Sequence, residues 1–249
     1  MTHIFGPSRR RMLDVFAAAL ILGPASKALA QGLSTLKIAT IGAGNEGGAL
    51  GTIFAKLGHP VMFSSRHPEQ LKDLVAAAGP NARAGSVADA VAFGDVIFVV
   101  VPYPAVEQIG QDYGNALAAK PLVVDVSNPS AGRDGEAFAK WVDEQGGAGL
   151  ATAKLLPGAH IVRAFNALGH NGIHGAEVLI KPTLAQTVGM PIAGDDPQAI
   201  ALAIKLIKET RFEPVLIGGL AKGKYLVPGS PISGEHTPDE LRKIAASLE

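Results

Sequence analysis

The stretch that most constrains this fold is IGAGNEGGAL, residues 41–50. It places Gly42, Gly44 and Gly47 in the spacing G-x-G-x-x-G. Before them lies an apolar run at Lys37–Ile41 that reads as a strand, and from Gly47 to Leu57 the chain reads as a helix ended by Gly58. In that context each glycine meets a separate steric need. Gly42 permits the tight turn, Gly44 lets a pyrophosphate approach the backbone, and Gly47 lets helix pack closely on strand. The helix N-terminus then turns unpaired N–H groups and the positive end of its dipole towards the phosphate. Among 30 glycines the spacing alone would arise by chance. Its place between strand and helix favours a dinucleotide site over a purely structural turn.

The rest of the chain keeps the alternation. Val61–Ser64 reads as a second strand, Pro68–Ala78 as a helix opened by its proline, and Ser86–Phe93 as a short helix. Val96–Val101 is an almost continuous β-branched run, the pattern of a central strand covered on both faces. Leu122–Val126 and Ile161–Phe165 repeat it. Beyond a Gly/His-rich link at Leu168–Gly175 come a strand at Val188–Ala193, a helix at Pro197–Thr210 and a strand at Glu213–Ile217. The fold class this predicts is α/β: a doubly wound, mostly parallel Rossmann sheet with a short C-terminal α/β extension from about residue 168. No long linker interrupts it, so residues 31–249 read as one nucleotide-binding unit. An apolar content of 47% is ample for its core.

About 20 residues beyond the glycine turn, where an acid often grips the ribose hydroxyls of NAD, the chain reads SSRHPEQ over residues 64–70. An acid there would repel a 2′-phosphate. Arg66 instead offers that phosphate a charge-assisted, bidentate partner, and Ser65 a hydroxyl donor. Each such bond is worth roughly 1.5–3 kcal/mol, so one or two would favour NADP over NAD by about one to three powers of ten. His67 adds a potential donor. The alternative is a solvated turn before a proline-initiated helix.

These residues resemble a known family. IGAGNEGGALGTIFAKLGHPVMFSSRHPE is similar to the N-terminus of the deazaflavin-coenzyme-dependent NADP reductases, Rossmann oxidoreductases related to the pyrroline-carboxylate reductases. VVDVSNP (123–129), VRAFNALG (162–169) and GMPIAGDD (189–196) resemble that family's later motifs. The resemblance implies contacts to NADP(H) from Ala43, Gly44, Asn45 and Glu46, beside the turn glycines Gly42 and Gly47. It implies that Ser65 and Arg66 hold the 2′-phosphate. Val101 and Pro102, at the end of the fourth strand, would flank the adenosine or ribose. Asn166 and Ala167, at the end of the sixth, would lie near the nicotinamide. It further implies an NADP-dependent oxidoreductase moving hydride to or from a deazaflavin coenzyme, a flavin or a quinone-like acceptor, a small-molecule redox substrate. Other readings are a non-catalytic NADP-binding redox sensor and an imine or pyrroline reductase. Hydride transfer of this kind is chiefly a positioning problem, so no catalytic side chain is assigned.

Asn128 either binds substrate or caps the turn before Pro129, and Tyr103 either shields the nicotinamide or packs locally. His170 and His174 have the spacing of a helical metal pair, but the surrounding glycines argue against a helix, so no metal site is assigned. Lys222, Lys224 and Tyr225 lie in a basic loop that either receives an anionic substrate tail or is simply solvated. Zero cysteines exclude disulfides, thiolate metal sites and cysteine nucleophiles. A formal net charge of zero and few aromatics give no drive towards nucleic acid.

The first 30 residues form a separate expectation. Arg9, Arg10 and Arg11 precede an apolar stretch at Val15–Leu22, a Gly23–Pro24 break and an A-x-A site before Gln31. That is the anatomy of an export signal cut after Ala30, with adjacent arginines of the twin-arginine kind. The expected setting is the periplasm or another exported compartment, reached through the twin-arginine translocase, with no stable membrane insertion after cleavage. The apolar segment at Val215–Leu220 is a candidate surface for a homodimer.

Overall fold

A computed structural model describes residues 35–168 and 187–248. The candidate signal peptide and the His170/His174 pair lie outside the described residues. Eight strands form one sheet: β1 (Ile38–Ile41), β2 (Val61–Ser64), β3 (Ala82–Gly85), β4 (Val96–Val99), β5 (Leu122–Asp125), β6 (Ile161–Arg163), β7 (Gly189–Gly194) and β8 (Glu213–Gly218). Their order is β3-β2-β1-β4-β5-β6-β7-β8. Every neighbouring pair is parallel except β6 with β7, which is antiparallel. The first six strands therefore have the doubly wound dinucleotide-binding order.

The helices are α1 (Asn45–Lys56), α2 (Lys72–Ala78), α3 (Val87–Phe93), α4 (Ala105–Ala118), α5 (Ala131–Asp134), α6 (Glu136–Glu144), α7 (Ala148–Leu155), α8 (Pro197–Glu209) and α9 (Pro238–Ala246). Short 3-10 turns occupy Pro68–Leu71 and Leu220–Tyr225. Alternation along the strands divides the core in two. Ile38, Phe63, Phe98 and Val124 face α1 and α8 through Leu50, Phe54, Ala203 and Leu206. Ala39, Ile97, Val99 and Val123 face the opposite layer through Val91, Val106, Ile109 and Leu156. A third cluster joins β7 and β8 to α9 through Ala193, Val215, Ile217 and Leu241, leaving Leu216 on β8 exposed.

Local chemistry sets the helix ends. Ser86 and Asp89 make a reciprocal capping box at α3, and Thr237 and Glu240 another at α9. At α8 the Asp196 carboxylate accepts from the amides of Gln198 and Ala199 ahead of Pro197. The segment read as one helix over Pro68–Ala78 is a 3-10 turn followed by α2. β4 stops at Val99 rather than Val101, which frees Val100–Pro102 to form a loop.

Candidate functional site

One row of residues runs straight across the sheet at its carboxyl edge. Ser64 pairs with Ile41, Ile41 with Val99, Val99 with Asp125, and Asp125 with Arg163. The loops that leave this row side by side contain Ser65 and Arg66, Gly42–Gly47, Val100–Pro102, Val126–Asn128 and Ala164–Asn166. This is the edge at which an open α/β sheet places its ligand. A cleft of about 720 Å³ opens there. One wall is Gly44–Gly47 with Val100–Pro102, and the floor is Val126–Asn128. The far wall is made by Val142, Gly147 and Ala148 of the α6–α7 region with Lys224, Val227 and Pro228 of the C-terminal segment.

The glycine turn shows three different steric situations. Gly42 has φ +96°, and a Cβ there would lie 2.2 Å from the Val100 carbonyl oxygen. A Cβ on Gly47 would lie 1.9 Å from the Gly42 carbonyl oxygen. Both residues must be glycine for the turn to close. A Cβ on Gly44 would meet no protein atom within 4 Å. Gly44 is exposed, lines the cleft and is the N-cap of α1, where no side chain caps the helix. The first-turn amides of α1 are thus left to a ligand, and the turn fits a dinucleotide's pyrophosphate.

Ser65 and Arg66 follow β2, one strand outward from the turn. The Ser65 hydroxyl accepts from the His67 amide at 3.1 Å, and Arg66 is exposed, outside the cleft itself. Ala43 is half-buried behind the turn. Asn45, Glu46, Val101 and Pro102 line the cleft. Asn166 and Ala167 do not: both are buried, the Asn166 amide donating to the Asp125 carbonyl oxygen at 3.1 Å. Asn128 lines the floor, but its side chain is occupied. Its amide donates to the Asn166 carbonyl oxygen at 3.0 Å and its oxygen accepts from Arg163 at 3.0 Å. Tyr103 is fully buried and does not line the cleft. Its hydroxyl donates to the Ala148 carbonyl oxygen at 2.6 Å and lies 2.8 Å from the Thr152 hydroxyl. Burial, and then the nearby Asp125 carboxylate, push its pKa well above the ordinary value for tyrosine, so it stays a neutral hydroxyl.

Under the floor lies a buried polar network to which the sequence reading assigned no role. Arg163 and Asp125, both fully buried, form an ion pair, and the Thr152 hydroxyl donates to the same carboxylate at 2.7 Å. The network's sequence signal is a lone acid inside LVVDV and a lone base inside HIVRAF, opposite charges in runs otherwise made of core residues. Arg133, also unassigned from sequence, lines the mouth of the cleft. It donates to both Asp134 carboxylate oxygens, at 2.6 and 2.8 Å, and to the Asn128 carbonyl oxygen at 2.6 Å. Its hydrogen-bonded pairing with Asp134, and more weakly the Glu46 carboxylate, hold its guanidinium firmly charged. Lys222 turns away, donating to the Leu248 carbonyl oxygen at 2.5 Å, whereas Lys224 reaches the cleft with its ammonium 4.9 Å from the centre of the Tyr225 ring.

Comparisons with known proteins agree with this fold. Residues 37–129 match the family described as NADP oxidoreductase, coenzyme F420-dependent, F420 being the deazaflavin coenzyme. That match supports an NADP-dependent oxidoreductase. No curated protein matches the chain. Among solved structures, a protein from an Arthrobacter species, described provisionally as an F420-dependent NADP reductase, is similar at 20% identity with a TM-score of 0.63; the match covers 76% of this chain and 87% of that one. A hypothetical protein from Sinorhizobium meliloti is similar at 22% identity with a TM-score of 0.59, covering 85% of this chain and 98% of that one. An imine reductase from Bacillus cereus is similar at 20% identity with a TM-score of 0.52, covering 76% and 58%. At such identities the structural likeness shows a shared Rossmann fold.

Proposed function

We propose that this chain transfers hydride between NADP(H) and a ring acceptor of the deazaflavin, flavin or quinone type. The observation that carries the reading is a single cleft joining an uncapped glycine turn to an apolar-and-amide floor at the carboxyl ends of β1, β4 and β5. In this reading the first-turn amides of α1 take the pyrophosphate, Ser65 and Arg66 take the 2′-phosphate, and Val101 and Pro102 flank the adenosine side. When bound, the nicotinamide supplies or accepts the hydride, and the chain's work is to place the two rings and exclude competing reactions. The floor suits that task because Asn128 is fixed from both ends of its amide. The proton that accompanies net reduction comes from water at the open mouth, where Ser130, Asp143 and Lys224 are exposed. Among the described residues Lys224 has no carboxylate partner, which favours an acceptor with an anionic tail over a neutral one.

If residues 1–30 direct export, the dinucleotide is loaded before the folded chain leaves the cytoplasm. The test of function is direct. The purified chain is mixed with NADPH and the nicotinamide absorbance followed with deazaflavin, flavin and quinone acceptors in turn. The proposal expects acceptor-dependent oxidation, faster with acidic-tailed acceptors. Tight NADPH binding with no oxidation by any of them would replace it with a nucleotide-binding module.

A further inference from the structure

We propose that Arg163, held by Asp125, is the positioning residue for the acceptor side of the cleft. Its guanidinium joins segments far apart in sequence. Nη1 donates to the Asp125 carboxylate and to the Ser127 carbonyl oxygen at 3.1 Å. Nη2 donates to the Asn128 side-chain oxygen at 3.0 Å and to the Leu226 carbonyl oxygen at 3.1 Å. Ser127 and Asn128 are the floor, and Leu226 directly precedes Val227 and Pro228 of the far wall. The C-terminal segment also sits against the arginine stem, since a Cβ on Gly223 would lie 2.8 Å from Arg163 Cδ. From the other carboxylate contact the network runs through Thr152 to Tyr103, beside Pro102 in the near wall. The floor and the far wall are therefore tied directly to one buried ion pair, and the near wall only at Pro102, through Tyr103.

A buried ion pair adds little net stability, because desolvating two charges offsets most of their attraction. Its effect here is geometric. A planar fork reaches four acceptors in fixed directions, which a lysine ammonium on a flexible stem cannot do. The glycine turn and the Ser65–Arg66 edge lie outside this network, so its loss should affect the acceptor and not the dinucleotide.

The catalytic part of this inference rests on the proposed hydride transfer; the structural part does not. The test is Arg163→Lys in the full chain, with Thr152→Val, which deletes one hydroxyl and no charge, as the milder variant. For Arg163→Lys we expect NADPH affinity within about twofold of the parent, kcat/KM for the acceptor down by at least about tenfold, and faster amide exchange across residues 224–229. Thr152→Val should move acceptor kcat/KM in the same direction by about threefold, and it decides the matter if Arg163→Lys does not fold. Equal losses of NADPH and acceptor binding in either variant would overturn the proposal, as would an unchanged acceptor constant. Should the parent chain transfer no hydride, the exchange measurement stands alone, and unchanged exchange at 224–229 would overturn it.

Discussion

The glycine turn allows folding and binding to be separated by two substitutions three residues apart. Gly44→Ala places a methyl group where the protein has no atom within 4 Å, at a φ of −72° that any residue adopts. Alanine is a poorer N-cap than glycine but reduces the entropy of the unfolded chain, so the two effects nearly cancel and stability should change by less than about 1 kcal/mol. For a domain of this size that is within about 2–4 °C in Tm. The same methyl group occupies the approach of the pyrophosphate to the first-turn amides. Losing one charge-assisted hydrogen bond costs about 1.5–3 kcal/mol, or roughly 10- to 150-fold in Kd. NADPH and NADH share the pyrophosphate, so both should weaken by the same factor. Gly47→Ala is the converse. Its Cβ would stand 1.9 Å from the Gly42 carbonyl oxygen, a backbone atom with little freedom to move. Overpacking of that kind costs about 1–3 kcal/mol, and Tm should fall by several degrees with or without nucleotide. The assays are a thermal melt and a fluorescence titration of each variant with both nucleotides. Gly44→Ala binding NADPH as tightly as the parent would refute the placement of the pyrophosphate at this turn.

Two further predictions concern pH. Because the folded state raises the Tyr103 pKa, its contribution to stability is present below the ordinary tyrosine value of 10.0 and is lost as pH rises beyond it. An ultraviolet titration of tyrosinate should therefore show a phase that appears only with alkaline unfolding and is absent from Tyr103→Phe; a titration with no phase tied to unfolding would contradict this. Asp196 behaves oppositely. The Ala199 amide, then the His160 side chain 2.6 Å away, hold its pKa below the ordinary 3.8. The stability it adds is present above about pH 4 and is lost as pH falls through the folded value. Asp196→Ala should flatten the acid limb of the Tm–pH curve; an unchanged limb would assign acid sensitivity elsewhere.

How much of this was legible in the sequence depends on the element. The glycine turn, β1, β2, β4 and β5 were readable because strands buried on both faces must be apolar almost throughout, and the turn's glycines are dictated by backbone contacts. β3, Ala-Arg-Ala-Gly, was not, since an edge strand of small and charged residues is held by pairing with β2 rather than by its own propensity. Helices α4, α5, α6, α7 and α9 were also missed. α4 contains Gly110 and Gly114, which argue against a helix locally, yet a Cβ at Gly110 would stand 1.9 Å from the Leu155 carbonyl oxygen, so the glycine serves helix packing. For the site, loop positions beside the turn followed from strand order alone. The far wall did not, because Val227 and Pro228 are brought to the cleft by long-range contacts, among them the Leu226 carbonyl oxygen on Arg163, 63 residues away. The Arg163 network explains why Asn128, a candidate substrate contact in sequence, spends its side chain on Arg163 and the Asn166 carbonyl oxygen, while the Asn166 amide is turned to the Asp125 carbonyl oxygen.

In the proposed function the carboxyl edge of this sheet is built for NADP(H), with Arg66 reading the 2′-phosphate. The most direct test is calorimetric titration of the purified chain and of Arg66→Ala with NADPH and with NADH. The prediction is that the parent prefers NADPH by about one to three powers of ten, and that Arg66→Ala loses most of this preference while its affinity for NADH is unchanged. Equal affinities in the parent, or equal losses for both nucleotides in the variant, would contradict it.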